Sequence, residues 1–341
     1  MSSSNTWEGT GNSTTQQPQS PQARYDLRPL STGEILDRTF QIYRSHFILF
    51  AGLAMLPAAV NVVTQALRLW YATHQSLHTH PGASIYVVQG ITGLLTLISS
   101  IIALVLYGIT QAATTWAVSN IYLGEPASIP TAFGAAMKHW FRYTLIALRQ
   151  AWSVMWLPLL IIGLGFIPMA IAGRRNPSSA ITLGIAVFLA FPALIYGFWA
   201  YFRVSLAVPA SVVEMLGVCA ALKRSKQLLI NRKGRIFLLF LFLFVLYLVI
   251  GAIQMPLAML ALKARGMQAF TTHAISLALS FVTATIVGPI GAIALCLFYF
   301  DERVRREGFD IEWMMSKVAP APAPIQTTLP SAGDAAAATL S

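Results

Sequence analysis

Apolar residues run almost without interruption through six stretches of this chain, at about 47–70, 85–118, 150–172, 179–208, 236–262 and 272–300. Each reaches or exceeds the ~20 residues that an α-helix needs to cross a bilayer's hydrocarbon core. The second and fourth are longer than that minimum, so they must tilt or project beyond the lipid. Six prolines (57, 158, 168, 192, 256 and 289) fall inside these stretches, where neighbouring helices can satisfy the carbonyls that a kink frees. The pattern predicts an all-α fold: a polytopic membrane helix bundle with six transmembrane helices.

Before each odd-numbered span the apolar residues become helically periodic instead of continuous. From Ser31, "STGEILDRTFQIYRSHF" has Ser31 and Glu34 at capping-box spacing. Leu36, Phe40, Tyr43 and Phe47 line one side of the predicted helix, with Glu34, Asp37, Arg38, Gln41 and Ser45 on the other. Glu34 and Arg38 also stand four residues apart, a favourable order for an ion pair.

A second such segment starts with Pro130 near its first turn and continues through Arg149, with Lys138, Arg142 and Arg149 sharing one face. The third places Val218, Ala221, Leu222, Ser225, Leu228 and Leu229 at helical spacing and stops at Gly234. All three read as cytoplasmic amphipathic in-plane helices, apolar side against acyl chains and basic side toward headgroups. The chain thus divides into three units, each an in-plane helix followed by two spans, beginning near residues 31, 131 and 217.

Charge orients the bundle. The chain is 56% hydrophobic and only 10% charged, yet carries a net charge of +11. With both termini on the inner side, all but five of the 23 Lys and Arg residues lie on that side; Arg68, Arg174, Arg175, Lys263 and Arg265 are the exceptions. The acidic residues lie there too. The positive-inside rule therefore puts the N- and C-termini in the cytoplasm. Basic residues beside apolar spans point to anionic lipid headgroups as partners, not nucleic acid. Cys219 and Cys296 fall on the reducing side and are expected to be free thiols.

Residues 1–26 and 317–341 are biased toward Ser, Thr, Gln, Pro and Ala, which predicts disordered tails around a membrane domain over 27–316. The N-terminal region has no apolar core of the kind a cleaved signal peptide needs, so none is expected.

Three motifs carry a family resemblance. "LRPLSTGEILDRTFQIYRSHF" (27–47), "PASVVEMLGVCAALKRSKQLL" (209–229) and "LFYFDERVRREGFDIEWM" (297–314) resemble, in order and spacing, the opening, central and closing motifs of the glycerophosphoryl diester phosphodiesterase membrane domain family. The resemblance implies a membrane domain alone. The enzymes behind the family name carry a soluble barrel as well, which needs ~250 residues, and no segment between or beyond these spans is that long. The enzymatic activity is therefore not expected here, nor is a cofactor. No nucleotide loop, HExxH helix or GxSxG elbow occurs in a usable context.

Two groups of residues are candidate sites. On the inner side, Glu34, Asp37, Arg38, Lys138, Arg142, Arg149, Glu214, Arg224, Asp301, Arg303, Arg305 and Glu307 can form structural ion pairs or a headgroup site using the arginine fork. Arg149 and Arg203 are expected at headgroup depth, because a charge at the bilayer centre costs about 2.5–3.5 kcal/mol or more. In the outer half, Asn61, Gln65, Arg68, Gln89 and Gln254 can line a vestibule between the first, second and fifth spans, or can bond helix to helix.

His74, His78 and His80 have a spacing that could meet a metal, with no fourth ligand nearby. Gly93, Gly163, Gly165, Gly184, Gly197 and Gly291 are expected where helices approach closely.

The reading is a non-enzymatic multi-pass protein of a bacterial inner membrane with a structural, accessory or lipid-associated role. A homo-oligomer or a membrane-complex partner is compatible with it. The alternative is a transporter or channel for a small anion or lipid-derived solute.

Overall fold

A computed structural model describes residues 29–78, 85–172, 177–230, 233–263 and 267–309, together with 311 and 315. The described residues form helices and no strand. In chain order these are α1 (Thr32–Ser45), α2 (Phe47–His78), α3 (Ile85–Tyr122), α4 (Ile129–Met137), α5 (Trp140–Ala172) and α6 (Pro177–Phe202). They are followed by α7 (Ala207–Val213), α8 (Val218–Leu228), α9 (Lys233–Lys263) and α10 (Met267–Glu307). Six of them (α2, α3, α5, α6, α9 and α10) are long and apolar enough to cross a membrane. Short, long, long is the order in each third of the chain, with α7 as an additional short element before the last.

Two helix starts follow the sequence signals closely, those of α1 and α4. The Ser31 hydroxyl accepts from the Glu34 backbone N–H at 3.2 Å, and Glu34 Oε2 accepts from the Ser31 N–H at 2.7 Å. The capping box thereby satisfies two donors that a helix start leaves over. Pro130 stands in the first turn of α4.

Helix faces and ends differ in several places. On α1 the buried stripe is Ile35, Thr39, Ile42 and Tyr43, about one position round from the expected face. Thr39 can be buried because its hydroxyl donates to the Ile35 carbonyl at 2.7 Å, while Phe40 remains 41% exposed, edge-on to Phe242 of α9 at 6.0 Å. The second in-plane segment breaks at Lys138 and His139, and the third spanning helix starts at Trp140, ten residues earlier than the apolar run suggests. Lys138 therefore does not share a helix with Arg142 and Arg149, which lie in the first turns of the span itself. The fourth apolar run is also interrupted: α6 ends at Phe202, and a buried turn leads into α7.

The in-plane helices and the last turns of α10 gather at one end of the bundle, called the basic end below. Packing is densest there. Leu30, Ile35, Ile42, Phe50, Leu53, Ile146, Leu206, Phe298, Tyr299 and Phe300 are fully buried. α10 is the central pillar, packed against α1, α2, α3 and α9. It ends at Glu307, where Gly308 takes φ 64° and its N–H donates to the Val304 carbonyl at 3.2 Å. Glycine adopts that left-handed conformation without the Cβ penalty other residues meet. Toward the opposite end, large apolar side chains such as Val63, Leu67, Trp70 and Leu94 are more than half exposed, as lipid-facing residues must be.

The tightest helix pair is α5 with α6. A Cβ at Gly197 would lie 2.6 Å from the Val154 carbonyl oxygen, and one at Gly165 would collide with the Ala186 methyl. Gly93, Gly163 and Gly184 face open space instead, and Gly291 makes only ordinary contact with Leu243, so two of the six expected glycines mark close approaches. Gly108 marks another, against the backbone of Tyr143 and Thr144.

Candidate functional site

Two ion-pair clusters hold the basic end together. In the first, Asp301 and Glu302 stand side by side on α10 with their side chains fully buried. The Arg235 fork from α9 straddles them, Nη2 to Asp301 Oδ2 at 2.7 Å and Nη1 to Glu302 Oε1 at 2.8 Å. Arg305 Nε meets both oxygens of Asp301 at 3.1 Å, and Arg306 Nε lies 3.6 Å from Glu302 Oε2. Leu30 closes the cluster from the N-terminal side. Its N–H donates to Asp301 Oδ1 at 2.6 Å, and its carbonyl accepts from Arg235 at 2.8 Å and Arg305 at 2.6 Å.

The second cluster centres on Glu214, at the end of α7. Arg224 Nε contacts both its oxygens, at 3.0 and 2.9 Å, and the Tyr299 hydroxyl donates to Oε1 at 2.5 Å. Arg224 continues to Glu307 at 2.7 Å, which also pairs with Arg303 at 3.1 Å. Burial works against the Arg224 charge, but its bonds to Glu307 and Glu214 outweigh that and hold its pKa above the ordinary arginine value. Fork-to-carboxylate pairs of this geometry fix helices in register.

The structure thus joins Glu214, Arg224, Asp301, Arg303, Arg305 and Glu307, but into two clusters. The other inner candidates have separate places. Glu34 caps α1, Asp37 is exposed, and Arg38 donates to the Tyr122 hydroxyl at 3.3 Å, tying α1 to α3. Arg142 donates to the Met215 carbonyl at 3.2 Å and to the Tyr143 hydroxyl at 3.0 Å, so it is a tie between α5 and the α7–α8 turn. Met215 itself has φ 54°, a left-handed conformation that this arginine contact helps hold. Lys138 is exposed at the α4–α5 corner. Arg235, Glu302, Tyr299 and Arg306 were not among the sequence candidates. Glu302 adjoins Asp301 in the closing motif, which was the available signal.

Among the described residues, the expected outer vestibule does not assemble. Arg68 Nη2 donates to Ser99 Oγ and lies 3.4 Å from the Thr96 carbonyl, so it closes the α2–α3 seam. Gln65 bonds Asn61 on its own helix, and Gln254 donates to the Thr283 hydroxyl at 3.2 Å, joining α9 to α10. The side chain of Gln89 lies outside the described residues, as do those of His74 and His78 and the whole of His80. The backbone of His74 and His78 belongs to the last turns of α2. Among the described residues, no group of three metal-ligating side chains comes together.

What does form is a cavity of about 830 Å3 between α2, α3, α6, α9 and α10, deeper toward the basic end than expected and with two more walls. Of the vestibule set with described side chains, Asn61 alone lines it. One wall, on α3, is mixed: Tyr107, Thr110, Gln111 and Thr114 recur at helical spacing, and Gln111 donates to the Tyr107 hydroxyl at 2.9 Å. The facing wall is aromatic, from Phe198, Tyr201 and Phe202 on α6 and Phe237, Phe240, Phe244 and Tyr247 on α9. Among the described residues, no charged one lines the cavity. Phe202 and Phe240 stack with centroids 4.7 Å apart and close the α6–α9 seam at the basic end. Beyond them, Phe198, Phe244 and Tyr247 are each more than half exposed, so the cavity opens sideways between α6 and α9.

A second, smaller recess of about 330 Å3 lies on the other face of α6, against α5 and α8, and contains Arg149 and Arg203. No protein-family model matches this chain, and neither does a curated protein or a solved structure. Fold and composition define the class: a multi-pass helical membrane protein.

Proposed function

We propose that this is a non-enzymatic, lipid-associated protein of a bacterial inner membrane, with both termini in the cytoplasm, whose bundle takes up the apolar chain of a membrane lipid from the side. The sideways-opening aromatic cavity carries this reading. Its volume falls within the range of ~300–1,000 Å3 usual for ligand sites. Its lining without charges suits hydrocarbon, and each methylene moved from water into such a site would contribute about 0.8 kcal/mol. Chains arriving from surrounding lipid gain less, so contact with the ring faces must supply the selectivity. The excess of basic residues at the end where the described chain begins and α10 stops supports the cytoplasmic placement.

The two ion-pair clusters give the basic end a structural role. Their carboxylates already face arginines, so neither cluster is the place for the apolar chain. The resemblance to a phosphodiesterase-linked membrane domain fits this reading, since such a domain contributes no bond cleavage of its own. Movement of a lipid-derived solute through the bundle is the second reading, favoured by the lateral opening.

The test is native mass spectrometry of protein released from mild detergent. Wild type should retain lipid. Ala103→Trp with Ala284→Trp, at two exposed lining positions, should lower total retention by the lipid that the cavity holds while the protein remains folded. Equal retention by the two proteins would reject the cavity as the site. Lipid-analogue flux in reconstituted vesicles, lost in the same variant, would favour the second reading.

A further inference from the structure

Among the described residues, the recess beside α6 collects three cations and no acid. Arg149 comes from α5, Arg203 from the turn after α6 and Lys226 from α8. All three are exposed, and none forms an ion pair among the described residues. The contrast with the two clusters is sharp. There, every arginine faces a carboxylate, whereas here three like charges share one rim that an anion would stabilise.

The rim is built by buried polar anchors. Gln150, next to Arg149 and only 4% exposed, donates to the Val204 carbonyl at 2.8 Å and ties α5 to the turn after α6. Ser225, next to Lys226 and fully buried, bridges the same turn from the other side. It accepts from the Leu206 N–H at 3.1 Å and donates to the Arg203 carbonyl at 3.1 Å. Each anchor holds its cationic neighbour at the turn that carries Arg203. The close α5–α6 crossing at Gly197 keeps the floor rigid.

The recess has a direction. Below Arg149 along α5 come Trp152 and Trp156; below Arg203 along α6 come Trp199 and Tyr196. The two helices run antiparallel, so the cations sit level at the basic end and the rings lie deeper. Arg203 lies over the Trp199 ring, 5.2 Å from its centroid, a contact that holds the guanidinium against the aromatic wall. Cations at headgroup depth above an aromatic belt match the layering of a phospholipid, phosphate above and glycerol and first methylenes below.

We propose that this recess binds the phosphate of an anionic membrane phospholipid, with Arg149, Arg203 and Lys226 contacting the headgroup. A free phosphate shares the charge but has no use for the Trp152, Trp156 and Trp199 wall, so the occupant is the lipid. The inference rests on the lipid-associated reading above but uses a separate site, on the opposite face of α6 from the cavity.

The experiment incubates the full protein with mixed micelles of phosphatidylglycerol and phosphatidylcholine and measures retained lipid by native mass spectrometry. Wild type should prefer phosphatidylglycerol. Arg149→Gln/Arg203→Gln/Lys226→Gln should lower that preference by about tenfold or more. A charge-matched triple at exposed positions elsewhere on the basic end, Arg44→Gln/Lys138→Gln/Lys223→Gln, should leave it within about twofold.

Equal loss in both triples would mean diffuse attraction and overturn the site, as would no loss in the recess triple. If that triple fails to fold, Arg149→Lys/Arg203→Lys, which keeps the charge, must preserve the preference, and Trp152→Leu/Trp156→Leu must reduce it. Displacement of phosphatidylglycerol by excess inorganic phosphate would overturn the lipid assignment. The headgroup ratio reports on the recess and total retained lipid on the cavity, so one can fail while the other stands.

Discussion

The Leu30 N–H and the Asp301 carboxylate meet at 2.6 Å across 271 positions of sequence, so the start of the described chain is fastened to the end of its last spanning helix. Arg235 and Arg305 bind the same two residues. The junction is a closed set of backbone and side-chain partners, and none of them can be removed without stranding another.

Asp301→Asn tests that junction. The amide can still accept from Leu30, but two guanidiniums lose a buried counter-charge, a change that typically costs about 3–5 kcal/mol. The expected result is a markedly lower midpoint for thermal unfolding in detergent, with α1 becoming accessible to proteolysis first. A midpoint unchanged from wild type would show that the cluster does not stabilise the fold.

Gly197→Leu should separate α5 from α6. Its side chain would be driven into the Val154 backbone, and overpacking of that kind costs about 1–3 kcal/mol or more. Gly184→Ala on the same helix meets open space and serves as the control. Guanidinium or thermal unfolding of the pair should show a loss for the first and none for the second.

Arg142 and Lys138 separate a structural cation from a surface one. Arg142→Gln removes hydrogen bonds to the Met215 carbonyl and the Tyr143 hydroxyl, and charged bonds of this kind are worth about 1.5–3 kcal/mol. Lys138→Gln should leave unfolding unchanged, since the side chain is exposed. Hydrogen exchange of the 214–217 turn is the sharper readout and should rise only for Arg142→Gln.

The two native cysteines report on orientation without engineering. Cys219 on α8 is exposed, whereas Cys296 is buried and its thiol donates to the Thr115 carbonyl at 3.7 Å. With the basic end in the cytoplasm, a membrane-impermeant maleimide should leave intact cells unlabelled and modify Cys219 after lysis. Labelling in intact cells would reverse the orientation.

Much of the architecture was written locally. Six runs of apolar residues specify six spans, because transfer into hydrocarbon depends on composition and length and hardly on what lies next to the helix. The Ser31–Glu34 box and Pro130 set helix starts through bonds and dihedrals within four residues. Asp301, Glu214, Arg224 and Glu307 stood out as charges in a chain that has few.

Only the tertiary structure decided which of them meet. A helix such as α9 is apolar on every side, so its sequence does not say which face is turned inward. Rotation and tilt follow from packing between residues far apart in the chain, such as Gly197 on Val154 and Gly108 on Tyr143. Those crossings put Arg68 and Gln254 into helix–helix bonds, opened the aromatic cavity elsewhere, and brought Arg149 of α5, Lys226 of α8 and Arg203 of the turn after α6 to one rim. Hydrophobicity places a helix in the bilayer; the fit of its side chains against its neighbours determines what its polar residues touch.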